Sequence, residues 1–236
     1  MMCISQTALS EGNAVSGWCD SLKPERKDVF DSLRLGRLGM ARIGFDYAML
    51  GYNKLRKEGL LTNDNIITII DFSLTSDKKR MFIIDLKNYK LLFLTYVAHG
   101  KNSGQDFALY FSNQPESFKS SIGFYITKET YSGIHGYSLK LHGYEKDYND
   151  NAEERAIVIH SADYVSELLI KQQGYIGRSL GCPALAPSIY KSIINRIKKY
   201  TPAGVRVGLT FRIKSAIYDP YAYNKDFLHR VSLKSR

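Results

Sequence analysis

Cysteine is scarce in this sequence, with three residues in 236. Cys3, Cys19 and Cys182 make an odd number, so at most one disulfide forms and one thiol is left over. If Cys3 and Cys19 pair, or are lost with a loose start of the chain, Cys182 is the free thiol. No pair or quartet of residues has metal-ligand spacing. We therefore expect no metal site and no cofactor.

Long hydrophobic runs are also missing. No apolar run approaches the ~20 residues that a membrane-spanning helix needs, so no transmembrane segment is predicted. The start of the chain, MMCISQTALSEGNAVSGWCDS, contains Glu11 and Asp20. It has no basic segment followed by an apolar stretch, so the sequence as given shows no secretory signal. The protein then stays inside the cell, has had a leader removed, or is exported by another route.

The excess of positive charge favours anionic binding partners, but it does not choose among them. Lysine and arginine outnumber aspartate and glutamate by 33 to 23, which gives a net charge of +10. Such a balance favours nucleic acid, anionic lipid or an anionic cell wall. The basic residues are spread along the chain without an aromatic-interleaved motif, so no nucleic-acid partner is expected. Without a GxGxxG or Walker-type loop, a nucleotide-binding fold is not expected either.

Two helices are predicted near the start of the chain. Residues 1–23 are small and polar, and we interpret them as a flexible N-terminal segment. Pro24 opens a helical stretch, and from Ala41 to Leu55 apolar residues recur at the spacing of one helix face. Gly59 is a plausible stop. We therefore predict helices over 24–60 that pack on the rest of the fold.

Short β-branched and aromatic runs dominate the remainder. They predict strands separated by polar turns, in the segments 65–74, 79–88, 90–100, 122–131, 137–143, 156–162 and 205–213. A hairpin turn is predicted at 87–89. One late helix is predicted over 187–200, with Pro187 in its first turn. The predicted fold class is α+β, mainly β, an antiparallel sandwich or barrel. It occupies residues 61–216, and 217–236 form a C-terminal tail.

One histidine and one cysteine are the main candidates for chemistry. Strand alternation in AIVIH (156–160) places Ile157 and Ile159 on one face, and Val158 and His160 on the other. A histidine that ends an apolar strand, or a lone cysteine, is usually structural when taken alone.

The surroundings of Cys182 favour a nucleophile. A thiol attacks well at neutral pH only where a base or positive charge favours the thiolate. In GRSLGCPAL (177–185), Gly181 permits a tight backbone and close approach of a substrate carbonyl. Ser179 is placed to hydrogen-bond the backbone or a histidine ring. Arg178 is placed to hold a substrate carboxylate.

Several separated segments resemble, in order, the murein L,D-transpeptidase catalytic-domain family, a branch of the L,D-transpeptidase superfamily. The signature is His160 followed by Ser179-Leu180-Gly181-Cys182. The resemblance covers roughly residues 35–215 and includes DFSLTSDKKRMFIIDL (71–86), YVAHGKNSG (96–104), FSNQPES (111–117), SSIGFYITKETYSGIHGYSLKLHGYE (120–145), NDNAEERAIVIHSADYV (149–165) and GRSLGCPAL (177–185).

The resemblance implies a mostly β catalytic domain and a thioester mechanism. Cys182 attacks the carbonyl between the third and fourth residues of a peptidoglycan stem peptide, the terminal D-alanine leaves, and an amine or water resolves the thioester. His160 is then base and acid. Ser179 orients the imidazole through its carbonyl or hydroxyl, and amides at Gly181 and Cys182 form the oxyanion hole. Carbapenem-type inhibitors are expected ligands.

One departure concerns the residues after the cysteine. The better-known branch carries an apolar residue and then arginine there, whereas this chain has Pro183 and Ala184 and places its arginine at Arg178. We interpret Arg178 as a substitute for binding the substrate carboxylate; the alternative is a structural ion pair. The departure leaves the acceptor, and transpeptidation itself, open.

Three further residues are candidates for substrate binding. His99 lies in the Gly-rich AHGKNSG segment, which either lines the cleft or forms a turn with a solvated ring. His142, in LHGYE, is a candidate cleft residue, and Tyr144 a candidate for a peptide groove; strand packing is the alternative for the tyrosines. Asp71, Asp85 and Glu145 suggest paired carboxylates for glycoside hydrolysis, but turn formation or surface ion pairing explains them more simply.

The leading hypothesis is therefore an L,D-transpeptidase. An L,D-carboxypeptidase that trims tetrapeptides to tripeptides, and a non-catalytic wall-binding protein with the same fold, are the alternatives. The resemblance implies work in the periplasm or cell envelope, although no signal peptide is visible.

Overall fold

The computed structural model describes residues 28–61 and 65–198, and the backbone of residues 200–201, 204–205 and 209–213. The described helices are α1 (Val29–Ser32), α2 (Arg42–Lys57), α3 (Glu167–Gln173) and α4 (Tyr190–Ile197), with 3₁₀ turns at Leu35–Leu38, Lys101–Ser103 and Asp150–Ala152. The strands are β1 (Ile66–Asp71), β2 (Met81–Asp85), β3 (Lys90–Thr95), β4 (Gly123–Gly133), β5 (Gly136–Gly143), β6 (Val158–Ser161), β7 (Ala184–Leu185), β8 (Tyr200–Thr201), β9 (Gly204–Val205) and β10 (Leu209–Ile213). The predicted N-terminal segment and C-terminal tail lie outside the described residues.

Eight strands form one sheet in the order β3-β2-β1-β10-β4-β5-β6-β7, and β8 and β9 form a separate pair. The α+β, mainly β fold class is confirmed. Most strand pairs are antiparallel, as predicted, but β1 pairs with β10 and β6 pairs with β7 in parallel. Parallel neighbours need a long crossover. The segment between β6 and β7 supplies one, and it contains α3.

Helix α2 forms as the apolar spacing predicts. Phe45, Ala48, Tyr52 and Leu55 are buried along one face, and the chain turns away at Gly59, whose φ is +72°. Close packing on the sheet requires a glycine within the helix. A Cβ on Gly51 would lie 1.8 Å from the Phe124 ring of β4.

The sheet is buried on both faces. Ile67 and Ile69 pack in the cluster that contains α2. Ile66 and Ile70 pack in a second cluster on the other side, together with α4 and Leu185 of β7. Partly buried Phe93 of β3 packs against that same second cluster. Shortly after β3, the Ala98 N–H donates to the Ala184 carbonyl of β7 at 3.0 Å. Because β3 and β7 are opposite ends of the strand order, this contact shows that the sheet curls until its two ends meet.

The late helix is confirmed, with Ile193, Ile194 and Ile197 buried. It begins at Tyr190, and Pro187 lies in the turn that precedes it. Helix α3 is missing from the sequence prediction. Its N-cap is Ser166 and its C-cap Gly174, but none of its residues is fully buried. It therefore lacks the apolar stripe by which α2 was found.

Two hairpins shape the sheet. The predicted 87–89 turn is confirmed between β2 and β3, where the Asp85 carboxylate accepts from the N–H groups of Lys87 and Asn88. The second joins β4 to β5. There Gly133 pairs with Gly136 across a two-residue tip, Ile134 and His135. Gly136 has a φ of +71°, a conformation that glycine adopts at no steric cost.

Candidate active site

The pairing of β6 with β7 sets the predicted base, on β6, opposite the strand that follows the predicted nucleophile. His160 is opposite Ala184 in the parallel register, and Cys182 lies two positions before Ala184. The Val158 N–H, two positions before His160, donates to Cys182 Sγ at 3.5 Å. The thiol also contacts the Ala156 carbonyl at 3.6 Å. A backbone N–H aimed at sulfur stabilises the thiolate more than the thiol.

The tautomer of His160 follows from its neighbour. Its side chain is buried, and Nδ1 lies 2.9 Å from the Ser161 carbonyl oxygen. Because a carbonyl only accepts, Nδ1 carries the proton and Nε2 of the neutral ring is left as the basic nitrogen. Burial lowers the pKa of His160, the Ser161 carbonyl opposes that shift, and His135 adds to it. The site therefore favours a neutral imidazole.

A second histidine, His135, lies against the first. Its ring stacks on the His160 ring with centroids 4.4 Å apart and planes 24° apart. His135 comes from the tip of the β4–β5 hairpin, far from β6 in sequence. The sequence prediction missed it. The sequence signal that could have found His135 is its position in a two-residue hairpin tip between Gly133 and Gly136.

The turn before Cys182 is held by the hydroxyl of Ser179. Oγ accepts from the Gly181 N–H at 3.0 Å and donates to the Cys182 carbonyl at 2.6 Å. The Ser179 carbonyl accepts from the Lys101 N–H at 2.8 Å. The Ser179 hydroxyl and carbonyl thus have these partners, and the carbonyl at Nδ1 of His160 belongs to Ser161. The orienting role of Ser179 stays a prediction.

Position 181 requires glycine, both for its backbone conformation and because there is no room for a side chain. Its φ is +125°, and an added Cβ would lie 2.9 Å from the Lys119 carbonyl oxygen. Its own carbonyl accepts from the Ser120 hydroxyl at 3.2 Å. Since the Gly181 N–H is donated to Ser179, one of the two amides predicted for the oxyanion hole is already engaged.

His99 supports this turn from inside the protein. It is completely buried, and Arg80 donates to its Nδ1 at 2.7 Å while its Nε2 donates to the Gly104 carbonyl at 3.2 Å. Burial and the Arg80 charge lower the pKa of His99 to about 3. Its backbone carbonyl accepts from the Ser179 N–H. A buried ring does not reach substrate, so both the cleft-lining and the solvated-turn interpretations of His99 are replaced by a structural one.

Arg178 lies on the surface beside this turn. Its Nη1 donates to the Gly104 carbonyl at 3.2 Å, and its guanidinium carbon lies 5.9 Å from the Tyr175 ring centroid. Among the described residues it takes part in no ion pair. The structural-pair alternative therefore has no acidic partner there. The neighbouring Leu180 is 60% exposed.

The remaining predicted side chains have other partners. His142 Nδ1 lies 3.0 Å from a carboxylate oxygen of Glu153. Tyr144 packs against the α2 side of the sheet and donates to Glu58. In contrast, Tyr164 contacts the segment that leads to Cys182, because its carbonyl accepts from the Gly177 N–H at 2.7 Å. Burial and then Cys182 raise the pKa of Tyr164 to about 12. Sequence reasoning missed Tyr164.

The three acidic candidates have local structural contacts. Asp71 accepts from Ser73, Asp85 caps the β2–β3 turn, and Glu145 accepts from the Phe124 N–H. Within the described part of the chain, no three acidic, histidine or cysteine side chains are grouped to hold a metal ion. No helix there has the length and hydropathy to cross a membrane.

Residues 39–202 match the family model described as the L,D-transpeptidase catalytic domain. This chain therefore belongs to the L,D-transpeptidase catalytic-domain family, which confirms the resemblance found in its motifs. No curated protein matches the chain.

The solved structures that are similar to this chain include two L,D-transpeptidases. One is LD transpeptidase LdtMt1 in complex with imipenem, with 15% identity, 64% of this chain and 59% of that chain covered, and a TM-score of 0.37. The other is an L,D-transpeptidase from Mycobacterium smegmatis, with 11% sequence identity and a TM-score of 0.35. That match covers 63% of this chain and 58% of the other chain. The chain thus covers less than two thirds of either protein.

Proposed function

We propose that this protein is a cysteine-dependent acyltransferase that acts on peptidoglycan stem peptides through a thioester on Cys182. The proposal is supported by the β6–β7 pairing, in which Cys182 Sγ accepts from the Val158 N–H and Cys182 lies two residues before Ala184, the partner of His160. Membership of the L,D-transpeptidase family supports the substrate class.

Acylation begins with transfer of the thiol proton from Cys182 to Nε2 of His160. The thiolate attacks the carbonyl carbon of the third stem residue. The C–N bond to the terminal D-alanine then breaks, and the imidazolium donates its proton to the leaving amine. The products are a thioester on Cys182 and free D-alanine.

Deacylation reverses these roles. An acceptor amine loses a proton to His160 and attacks the thioester, and the C–S bond breaks to restore the thiolate. When the acceptor is another stem peptide, the product is a 3–3 cross-link; when it is water, the product is a trimmed tripeptide. Arg178, exposed beside the turn, is the proposed contact for a substrate carboxylate.

The same proposal places the protein in the periplasm or cell envelope, where stem peptides are found. Its net charge of +10 suits surroundings rich in carboxylates and phosphates.

Incubation with tetrapeptide muropeptides tests the reaction. Mass spectrometry is expected to show D-alanine release, with 3–3 dimers for a transpeptidase or tripeptides for a carboxypeptidase. Cys182→Ala and His160→Gln are expected to abolish release while they keep the circular dichroism spectrum of the wild type.

A carbapenem provides an independent probe, because its strained lactam carbonyl acylates an activated thiol. We expect an intact-mass adduct that maps to Cys182 and is absent from Cys182→Ala. A folded wild type that releases no D-alanine and forms no adduct, yet still binds isolated cell wall, would instead establish the non-catalytic alternative.

A further inference from the structure

The rings of His135 and His160 are stacked, and His135 has no role in the proposed mechanism. His135 is exposed, whereas His160 is only 4% exposed, and their rings overlap at 4.4 Å with planes 24° apart. The contact joins the tip of the β4–β5 hairpin to the end of β6. It therefore links two elements that do not share a strand pairing at this point.

We propose that His135 is a positioning residue for His160, which holds the plane of the imidazole that the proposed function assigns as the base. The proposal rests on the proposed function, since it gives His160 the role of base. Two contacts then fix the ring. The Ser161 carbonyl holds Nδ1 at one edge, and His135 covers one face.

The need for such a contact follows from the freedom of a histidine side chain. The Nδ1 hydrogen bond fixes one atom of the ring, but it leaves the ring free to tilt about that point. A stacked ring opposes the tilt, and aromatic pairs contribute more than their buried area alone. The two-residue tip is itself constrained, because Gly133 pairs with Gly136 and Gly136 holds a positive φ.

His135 also acts on the protonation of His160. It covers the ring from water, and as a second imidazole it disfavours a positive charge there; both effects lower the pKa of His160. Other titratable groups around these two rings, among the described residues, are Cys182 before β7, Tyr164 after β6 and Tyr190 of α4, whose hydroxyl lies 4.0 Å from the Cβ position of Gly136. Removal of His135 is therefore expected to raise the pKa of His160 toward its ordinary value.

The test compares His135→Ala, which removes the ring, with His135→Phe, which keeps a stacked ring and removes the imidazole. Carbapenem acylation of Cys182 is expected to slow by about three- to tenfold in the Ala variant. It is expected to return to within about threefold of wild type in the Phe variant. Ile134→Ala, the 97% exposed neighbour on the same tip, is the matched control and is expected to keep the wild-type rate.

An NMR titration of the histidine ring carbons provides a readout that a merely structural role would not move. The pKa of His160 is expected to rise in the order wild type, Phe variant, Ala variant. Equal pKa values and equal acylation rates in all three proteins would overturn the proposal, and so would a Phe variant as slow as the Ala variant.

The titration separates this proposal from the proposed function. A wild type that forms no adduct removes the acyltransferase assignment, whereas the pKa order still reports whether the stack acts on His160. If His135→Ala does not fold, the Phe variant alone decides, because loss of the second imidazole must still raise the pKa of His160.

Discussion

Arg80 donates a hydrogen bond to Nδ1 of His99 at 2.7 Å, and both side chains are completely buried. Arg80 also donates to the carbonyls of Leu74 and Val97. The backbone of His99 and Lys101 then brackets Ser179 on both sides. The start of β2 is thereby connected to the turn that carries Cys182 by hydrogen bonds alone.

The first prediction concerns acid stability. The folded-state pKa of His99 is about 3, below the ordinary value near 6.5. Between these values the unfolded chain binds more protons, so stability is lost as pH falls below about 6.5. At pH 5 the expected loss from this group is about 2 kcal/mol. Urea titrations at pH 7.5 and pH 5 measure it.

The control for this prediction is His99→Gln. It is expected to be less stable than wild type at pH 7.5, because the contact with Arg80 is disturbed. It should lose less stability on acidification. An identical loss in both proteins would assign the acid sensitivity to other groups, the buried His160 among them.

The second prediction separates two roles for Ser179. Its hydroxyl bonds to the Gly181 N–H and the Cys182 carbonyl, so Ser179→Ala is expected to cost about 1–2 kcal/mol of stability and to slow acylation of Cys182. The pKa of His160 should not change, because the ring is held by Ser161. Ser179→Thr keeps the hydroxyl and is expected to recover most of the rate. A shift of the His160 pKa in the Ala variant would restore the orienting role implied by the family.

The third prediction concerns Gly181. Gly181→Ala places a Cβ 2.9 Å from the Lys119 carbonyl at a φ of +125°, so it is expected to disrupt the turn and abolish carbapenem labelling. The matched control is Gly174→Ala, where φ is +86° but nothing lies within 4 Å. It should cost only the backbone strain, about 1–2 kcal/mol. Thermal unfolding and intact-mass labelling of both variants compare steric contact with strain, and similar losses in the two would exclude the Lys119 contact as the cause.

The fourth prediction concerns Arg178. Arg178→Ala is expected to raise KM for tetrapeptide substrate by about tenfold, the scale of one charge-assisted hydrogen bond, with little change in thermal stability. Arg37→Ala removes the same charge from an exposed site near α1. It controls for the change in the net charge of the protein. If both variants raise KM equally, long-range attraction rather than a specific carboxylate contact is responsible.

The confirmed parts of the sequence prediction share a local origin. The buried face of α2, the 87–89 hairpin and the division of Ile157 and Ile159 from His160 all follow from spacing within one element. Side-chain direction repeats every 3.6 residues in a helix and every two in a strand, so neighbouring residues carry enough information. The sequence analysis did not predict helix α3, because none of its residues is fully buried and it has no apolar face at helical spacing.

The parts that sequence reasoning missed depend on what lies across the fold. His99 looked like a turn residue, yet Arg80 and the curled sheet enclose it. Tyr144 follows the same β5 segment as His142, but it packs on the α2 side of the sheet. Neither outcome is visible from residue types, because burial is set by elements distant in the chain.

Short-range backbone geometry made most of the helices and strands, the face on which His160 lies and the glycine-containing turn at Cys182 predictable from the residues alone. The parallel pairing of β6 with β7, the contact of His160 Nδ1 with the Ser161 carbonyl and the cover of the ring by His135 became visible only in the folded structure. The strand pairing and the histidine stack join residues that are distant in sequence, so they exist only once the strand order and the curl of the sheet are set. The Ser161 contact joins sequence neighbours, but it depends on the rotamer that the buried ring adopts.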